Sequence, residues 1–306
     1  MLGPFLFLIY VNDLPNISKV LTFFLFADDT NIYFEADSLS RLQTVVNKEL
    51  KKLYTWLIVN RLALNIDKTN FLIFHPFNKA NKENVTLKIN KKAIQEKSQI
   101  KYLGIILDTA LNWKSHIDKI SNTISKSIGI MYKIRPFVNK ETLKILYYSL
   151  IYPHLTYAVE AWGSAIETQL NRLLILQKKV VRMIIHRDIR QEDYSLPASE
   201  PLFINLKIMK IRNIFKTKVS NFIFKCLNKL CPSQFHEWFR LTATVHNHNT
   251  RSTTNKDLFI SKVRTTYHGK KSIKYLGPKI WNELPVSIKS INIYSTFSKK
   301  VKEFFT

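Results

Sequence analysis

The stretch LTFFLFADDTNIYF, residues 21–34, places two adjacent acids, Asp28 and Asp29, between two runs of large apolar residues. Residues 21–27 and 31–34 are rich in Phe, Leu, Ile and Tyr with no Gly or Pro inside, which is strand composition. Two strands so close in sequence predict a hairpin with the acids at its tip. Asp is common in turns because its carboxylate bonds nearby backbone N–H groups, so a plain turn is one reading. Fixed, clustered carboxylates are also what divalent-metal chemistry on phosphates requires. The rest of the chain decides between the two.

At 306 residues the chain exceeds one typical domain. Its 46% hydrophobic content is that of a globular protein, and only 6 glycines argue for long regular elements, mostly helices. A net charge of +25 points to a polyanionic partner, nucleic acid before a membrane surface. The charge is uneven. Residues 1–50 hold three Lys/Arg against six Asp/Glu, whereas residues 111–306 hold 33 against 12. Cys226 and Cys231 make no disulfide framework, and their spacing to each other and to His236 matches no common zinc pattern, so buried free thiols are expected. MLGPFLFLIYVNDLP (1–15) lacks the basic leader and small-residue cleavage site of a signal peptide, and its apolar run is too short to cross a bilayer. With Leu2, Phe5, Leu6 and Ile9 at helical spacing, it reads as a core-forming helix. No transmembrane segment is expected elsewhere.

Further along, residues 38–60 read as a helix with Leu42, Val45, Val46, Leu50, Leu53 and Leu57 on one side. Residues 62–74 are a turn leading into a strand, 78–84 a loop, 85–94 a hairpin and 100–108 a further strand. The 117–134 helix carries Ile117, Ile120, Ile124, Ile128 and Met131 on one face, and Lys119, Lys126 and Lys133 on the other. The three lysines span roughly 21 Å, which suits either a track for phosphates or an ordinary solvated face. A helix capped by Asn139 stops at Pro153, and others run at about 168–187 and 203–230. Residues 242–257 are polar and read as a linker or an exposed loop. The last 50 residues interleave Lys with Tyr267, Tyr275 and Trp281 and end in a helix at 295–305. There Lys270, Lys271 and Lys274 are candidate phosphate contacts and Trp281 a core residue.

The order LGPFLFLIYVNDLP, FADDT, WLIVNRLALNIDKTNFLIF, KYLGIILD resembles the second half of the polymerase domain of non-LTR retrotransposon (LINE-type, jockey-like) reverse transcriptases. LNWKSHIDKI, LYYSLIYPHLTYAVEAWG and GPKIWNELP continue the resemblance to nearly full length. It implies an α+β fold: a partial palm over 1–110, a helical thumb-like region over 111–190 and a basic helical region over 191–306. It implies an RNA-directed DNA polymerase with Mg²⁺ as cofactor, an RNA template and DNA primer (or their hybrid) and deoxynucleotide triphosphates as partners, and a nuclear place of action. On this resemblance Asp28 is the metal-binding aspartate of the catalytic hairpin and Asp29 its neighbour, a weaker metal ligand or a charge partner. Lys68 in NIDKT belongs to a loop whose ammonium serves the departing pyrophosphate, or is an exposed lysine on a capped turn. Tyr102, Leu103 and Gly104 form the primer-grip turn, and the lysines of the 117–134 helix face the template–primer duplex.

Such polymerases carry a further metal-binding Asp upstream, basic fingers and a QGS-type lead-in before LGP; Met1 stands directly before LGP here. Asp13 and Asp37 are the nearest spare acids, and neither lies in a replacing strand. The expectation is a polymerase fragment that does not synthesise DNA alone. The alternative is a non-catalytic RNA- or DNA-binding protein derived from such an element.

Overall fold

The computed structural model describes residues 2–75, 84–185, 199–245, 251–266 and 268–306. The fold is α+β and divides into two compact units, one of residues 1–102 and 107–111, the other of residues 103–106 and 112–306. The expected 78–84 loop, most of which lies in the gap, and Tyr267 fall outside the described residues.

In the first unit, α1 (Gly3–Tyr10) precedes the hairpin of β1 (Thr22–Phe26) and β2 (Asp29–Tyr33) and then α2 (Leu39–Val59). Ser38 starts α2 by accepting a hydrogen bond from the Arg41 N–H at 3.3 Å. The apolar face of α2 buries Val46, Leu50 and Leu53 as its periodicity predicts. Short strands follow: β3 (Asn70–Phe71), β4 (Lys88–Ile89), β5 (Lys92–Ala93) and β6 (Gln95–Glu96). β3 pairs with β6 in parallel, and β4 with β5 antiparallel. Residues 85–89 alternate strictly, with Val85, Leu87 and Ile89 buried and Thr86 and Lys88 exposed, so one face joins α2 in the core.

Two expectations need correction here. α1 is a helix, but none of its residues is buried, and Leu2, Phe5, Leu6 and Ile9 are all exposed. Its apolar residues run around every side, so no single face directs it onto the core. Residues 100–108 are not one strand but two, β7 (Gln99–Tyr102) and β8 (Ile105–Asp108). Leu103 (φ +42°) and Gly104 (φ +84°) turn the chain between them.

The second unit is helical: α3 (Lys114–Ile134), α4 (Lys140–Leu150), α5 (Tyr152–Thr156), α6 (Val159–Trp162), α7 (Glu167–Ile185), α8 (Ser199–Leu206) and α9 (Ile211–Leu227). The short α10 (Thr242–Val245) and α11 (Arg251–Thr254) lie in the expected linker, ahead of α12 (Ile273–Asn282), α13 (Val286–Lys289) and α14 (Tyr294–Phe305). Asn139 caps α4, accepting from the Thr142 N–H at 2.8 Å. α4 ends at Leu150, just ahead of Pro153 as expected, and Pro153 sits in the first turn of the next helix, α5, where its missing N–H costs nothing. The expected 203–230 helix is two, α8 and α9.

The join between α8 and α9 is held by Gln177, which is wholly buried on α7. Its amide donates to Tyr147 Oη (3.0 Å) and Met209 O (3.0 Å), and its carbonyl accepts from Ile211 N (2.8 Å), capping the first turn of α9. The GPKIWNELP motif is a second latch. Trp281 is buried as expected and donates to Lys256 O (3.1 Å), and Asn282 pairs both ways with the backbone of Leu258 (2.8 and 3.0 Å). The buried Lys289 ammonium closes the group on Asp257 at 2.7 Å. No helix among the described residues is long and apolar enough to cross a membrane.

Candidate catalytic hairpin and nucleic-acid surfaces

The β1–β2 register pairs Phe26 with Asp29, so the turn consists of Ala27 and Asp28 alone. Ala27 takes φ +51°, a left-handed value that a Cβ resists. Directly opposed residues share a face, so Asp29 lies with Thr22, Phe24, Phe26, Asn31 and Tyr33. Phe23, Leu25 and Ile32 occupy the other face and pack on the core. Asp28 and Asp29 are exposed, and neither has a hydrogen-bond or ion-pair partner among the described residues. Strand pairing and a half-buried underside thus hold two unpaired carboxylates at a rigid tip.

The two spare acids are engaged elsewhere. Asp13 accepts from the Trp56 indole at 3.4 Å, and Asp37 pairs with Arg41 at 3.3 Å. Lys68 is exposed on a turn closed by Asn65, whose side chain accepts the Lys68 N–H at 3.1 Å. Among the described residues no hydrogen bond or ion pair joins Lys68 to Asp28 or Asp29. No group of three or more His, Cys, Asp or Glu comes together as a metal site among them either. Cys226 is buried and Cys231 half-buried, both free, with sulfurs 3.5 Å apart. His236 Nε2 lies 2.7 Å from Cys231 O rather than turned to the thiols.

The Leu103–Gly104 turn is braced within the second unit. The Tyr157 hydroxyl donates to Leu103 O at 2.6 Å, and Lys119 Nζ lies 3.5 Å from Gly104 O. Gly104 has φ +84°, a conformation that strains any other residue, and an added Cβ would also crowd the Tyr157 ring at 3.3 Å. Sequence reasoning missed Tyr157, because it lies 54 residues from the turn it holds. Lys119, Lys126 and Lys133 are exposed on α3, opposite its buried Ile117, Ile120, Ile124 and Met131. The sole acid of α3, Asp118, pairs with Arg172, leaving that face positive. In the C-terminal region Lys270 is exposed beside Lys271, whose pKa burial lowers. Lys274 Nζ sits 4.5 Å from the centre of the Trp238 ring, a cation–π contact.

Residues 1–107 match the family profile of reverse transcriptase (RNA-dependent DNA polymerase). About 60% of the chain is similar to RNA-directed DNA polymerases of non-LTR retrotransposons. It is 26% identical over 194 residues to the RNA-directed DNA polymerase from mobile element jockey of Drosophila funebris, covering 60% of this chain and 21% of that one. The jockey polymerase of Drosophila melanogaster is 26% identical over 196 residues, with the same two shares. The probable RNA-directed DNA polymerase from transposon X-element of Drosophila melanogaster is 23% identical over 220 residues, 62% of this chain and 23% of that one. The chain therefore spans about a fifth of the length of these relatives. The matched lengths exceed 107 residues, so the likeness to these reverse transcriptases runs into the helical second unit. No solved structure matches the chain.

Proposed function

We propose that this chain is part of an RNA-directed DNA polymerase of a non-LTR retrotransposon and works on a template–primer through two surfaces. One is the hairpin tip with Asp28 and Asp29; the other is the positive face of α3. The observation that carries the reading is a pair of exposed carboxylates at a hairpin tip, Asp28 in the two-residue turn and Asp29 first in the strand after it, inside the segment matching reverse transcriptases.

Asp28 and Asp29 would hold Mg²⁺, which when bound would stabilise the negative charge that develops on phosphate oxygens in nucleotidyl transfer. Adjacent exposed carboxylates are the hard oxygen donors Mg²⁺ takes. Two acids do not make a two-ion centre, and the described residues bring no third ligand to them. Asp28 and Asp29 thus fit part of such a centre, not the whole. The chain's own residues act on the nucleic acid. Leu103 and Gly104, held by the Tyr157 hydroxyl, offer a fixed backbone turn to a primer strand, and Tyr102 leads into it. Lys119, Lys126 and Lys133 meet phosphates along the duplex, and Lys270, Lys271 and Lys274 add a further basic patch. Lys68, exposed and without a carboxylate partner among the described residues, meets an anionic group in this reading.

With part of the metal set, the 306-residue chain binds an RNA–DNA hybrid and does not extend its primer. The test is Mg²⁺-dependent extension on an RNA template beside hybrid binding against salt. Binding should weaken linearly in log–log form, and alanine at Lys119, Lys126 and Lys133 should flatten the slope by about 2–3, near 0.9 per lost contact. Extension abolished by Asp28→Asn would overturn the inactivity, and a salt-independent affinity would overturn the interface. A purely nucleic-acid-binding role is the second reading, favoured by the incomplete ligand set.

A further inference from the structure

We propose that a groove between α2 and the β4–β5 hairpin binds a single strand of nucleic acid through its phosphates, separately from the template–primer surfaces. The groove has a volume of about 470 Å³ and is lined by Asn47, Lys51, Tyr54, Thr55, Lys88, Asn90 and Lys91. None of the residues assigned to catalysis or template–primer binding lies in it.

Its construction is specific. Asn47, Lys51, Tyr54 and Thr55 recur at helical spacing along one stripe of α2. Two amides on that helix fasten the outer hairpin to it. Asn47 donates to Thr86 O (3.0 Å) and accepts from Lys88 N (2.8 Å), and Gln43 accepts from Thr86 N (2.6 Å). The hairpin backbone is thereby fixed beside the helix, and the groove persists between them.

Its charge is one-sided. Lys51, Lys88 and Lys91 are exposed, and none has a carboxylate partner among the described residues. The only acid on α2 is Glu49, which is buried on the core side and bound by Lys52 at 2.7 Å. Residues 84–94 contain no acid at all. Three cations converge where neither element offers a counter-ion, so the missing anion is expected from a ligand.

The backbone points the same way. Asn90 and Lys91 form the β4–β5 turn with φ +47° and +63°, both left-handed. Such a turn favours Asn-Gly, and Lys at its second position carries a cost of about 1–2 kcal/mol. That cost sets a cation at the mouth of the groove. Tyr54, half-buried against the core, adds an aromatic wall of the kind on which bases stack between phosphate contacts. The volume lies within the range of clefts of about 300–1,000 Å³ that enclose small ligands, room for a nucleotide or two of a strand and not for a duplex.

The test uses the whole chain, with a fluorescent single-stranded RNA of about ten nucleotides in low and rising salt. Lys51→Ala, Lys88→Ala and Lys91→Ala together should weaken binding about tenfold at low salt and flatten the log–log salt slope by about 2, near 0.7 per lost contact. A control of equal charge loss, alanine at the exposed Lys140, Lys299 and Lys302, should shift affinity less than about threefold. Thermal unfolding of both variants should match the parent, since all six side chains lie outside the core. Photo-crosslinking with 4-thiouridine RNA should label the peptide holding Tyr54, and Tyr54→Leu should remove that label while keeping the core contact. Equal losses in the two triple variants, an unchanged slope or crosslinks confined to other peptides would overturn the proposal. So would polyglutamate competing as well as RNA, which would make the ligand an acidic protein. Primer extension is not read here, so failure of this site and failure of the polymerase reading are separate results.

Discussion

In the second unit Trp162, Tyr147 and Phe224 are shielded from solvent, whereas in the first Phe5, Phe24 and Phe26 face it. Among the described residues, the first unit buries a cluster of ten apolar side chains, and the second a cluster of thirty-seven that runs from Ile117 on α3 to Phe305 on α14. Both units have apolar residues at the expected spacings, so patterning alone does not separate them. What separates them is partnership. In the second unit apolar stripes meet one another, as when α9 receives α14 and α12, and the buried Gln177 amide is bonded at both its nitrogen and its oxygen. In the first, α1 and the outer face of the β1–β2 hairpin each leave large apolar side chains exposed among the described residues, Phe5, Phe24 and Phe26 among them.

The contrast is broken most directly by mutation at matched aromatic sites. Trp162 is wholly buried, donates to Tyr157 O at 2.9 Å and meets His116 edge-on. Trp162→Ala should cost about 3–5 kcal/mol in urea unfolding. Phe26→Ser, on the exposed face of the hairpin, should change stability by no more than about 0.5 kcal/mol while lowering self-association in light scattering. A large stability loss at Phe26 would mean that the hairpin face is covered.

A smaller effect separates the units by pH. His116 is buried on α3, and its pKa falls from 6.5 to about 4, first because burial disfavours the charged ring and then because Lys119 is near. Its Nδ1 accepts from Ile106 N at 3.4 Å, so the proton resides on Nε2, which is buried without a partner. Protonation is thus easier in the unfolded chain, and stability rises with pH between about 4 and 6.5. Acidifying through that window should cost the second unit about 3 kcal/mol, level above and below it. Chemical denaturation across the window checks this, and His116→Phe should remove the dependence.

The sequence made α2, α3 and α14 legible because each has one apolar stripe that meets a partner, and it made the acid-bearing hairpin legible because its strands are short, aromatic and free of Gly and Pro. It misplaced α1, whose apolar residues name no face. Composition alone read residues 100–108 as one strand, and only the resemblance marked a turn there, because the apolar run is interrupted by no more than Gly104. The groove on α2 was not legible at all. Its lysines are separated by nearly forty residues and are brought together by the side chains of Gln43 and Asn47, whose contacts carry no periodic signal. Surfaces written by one helix face are readable from spacing; surfaces assembled by side-chain amides across distant segments are not.

The smallest expected effect tests whether the first unit keeps strain where it meets ligands. Its two hairpin tips hold Ala27 and Lys91 in left-handed backbone, one beside the acid pair and the other at the basic groove. If Lys91 were only a turn residue, glycine would serve better, because it takes a positive φ without a Cβ clash. Lys91→Gly should therefore stabilise the first unit by about 0.5–1 kcal/mol, less than the full strain because glycine also gives the unfolded chain more freedom. The same substitution should weaken single-stranded RNA binding about threefold and flatten its salt slope by about 0.7. Stability gained with affinity unchanged would leave the strain without a purpose at this turn; stability gained with affinity lost would show that the position is kept for its charge.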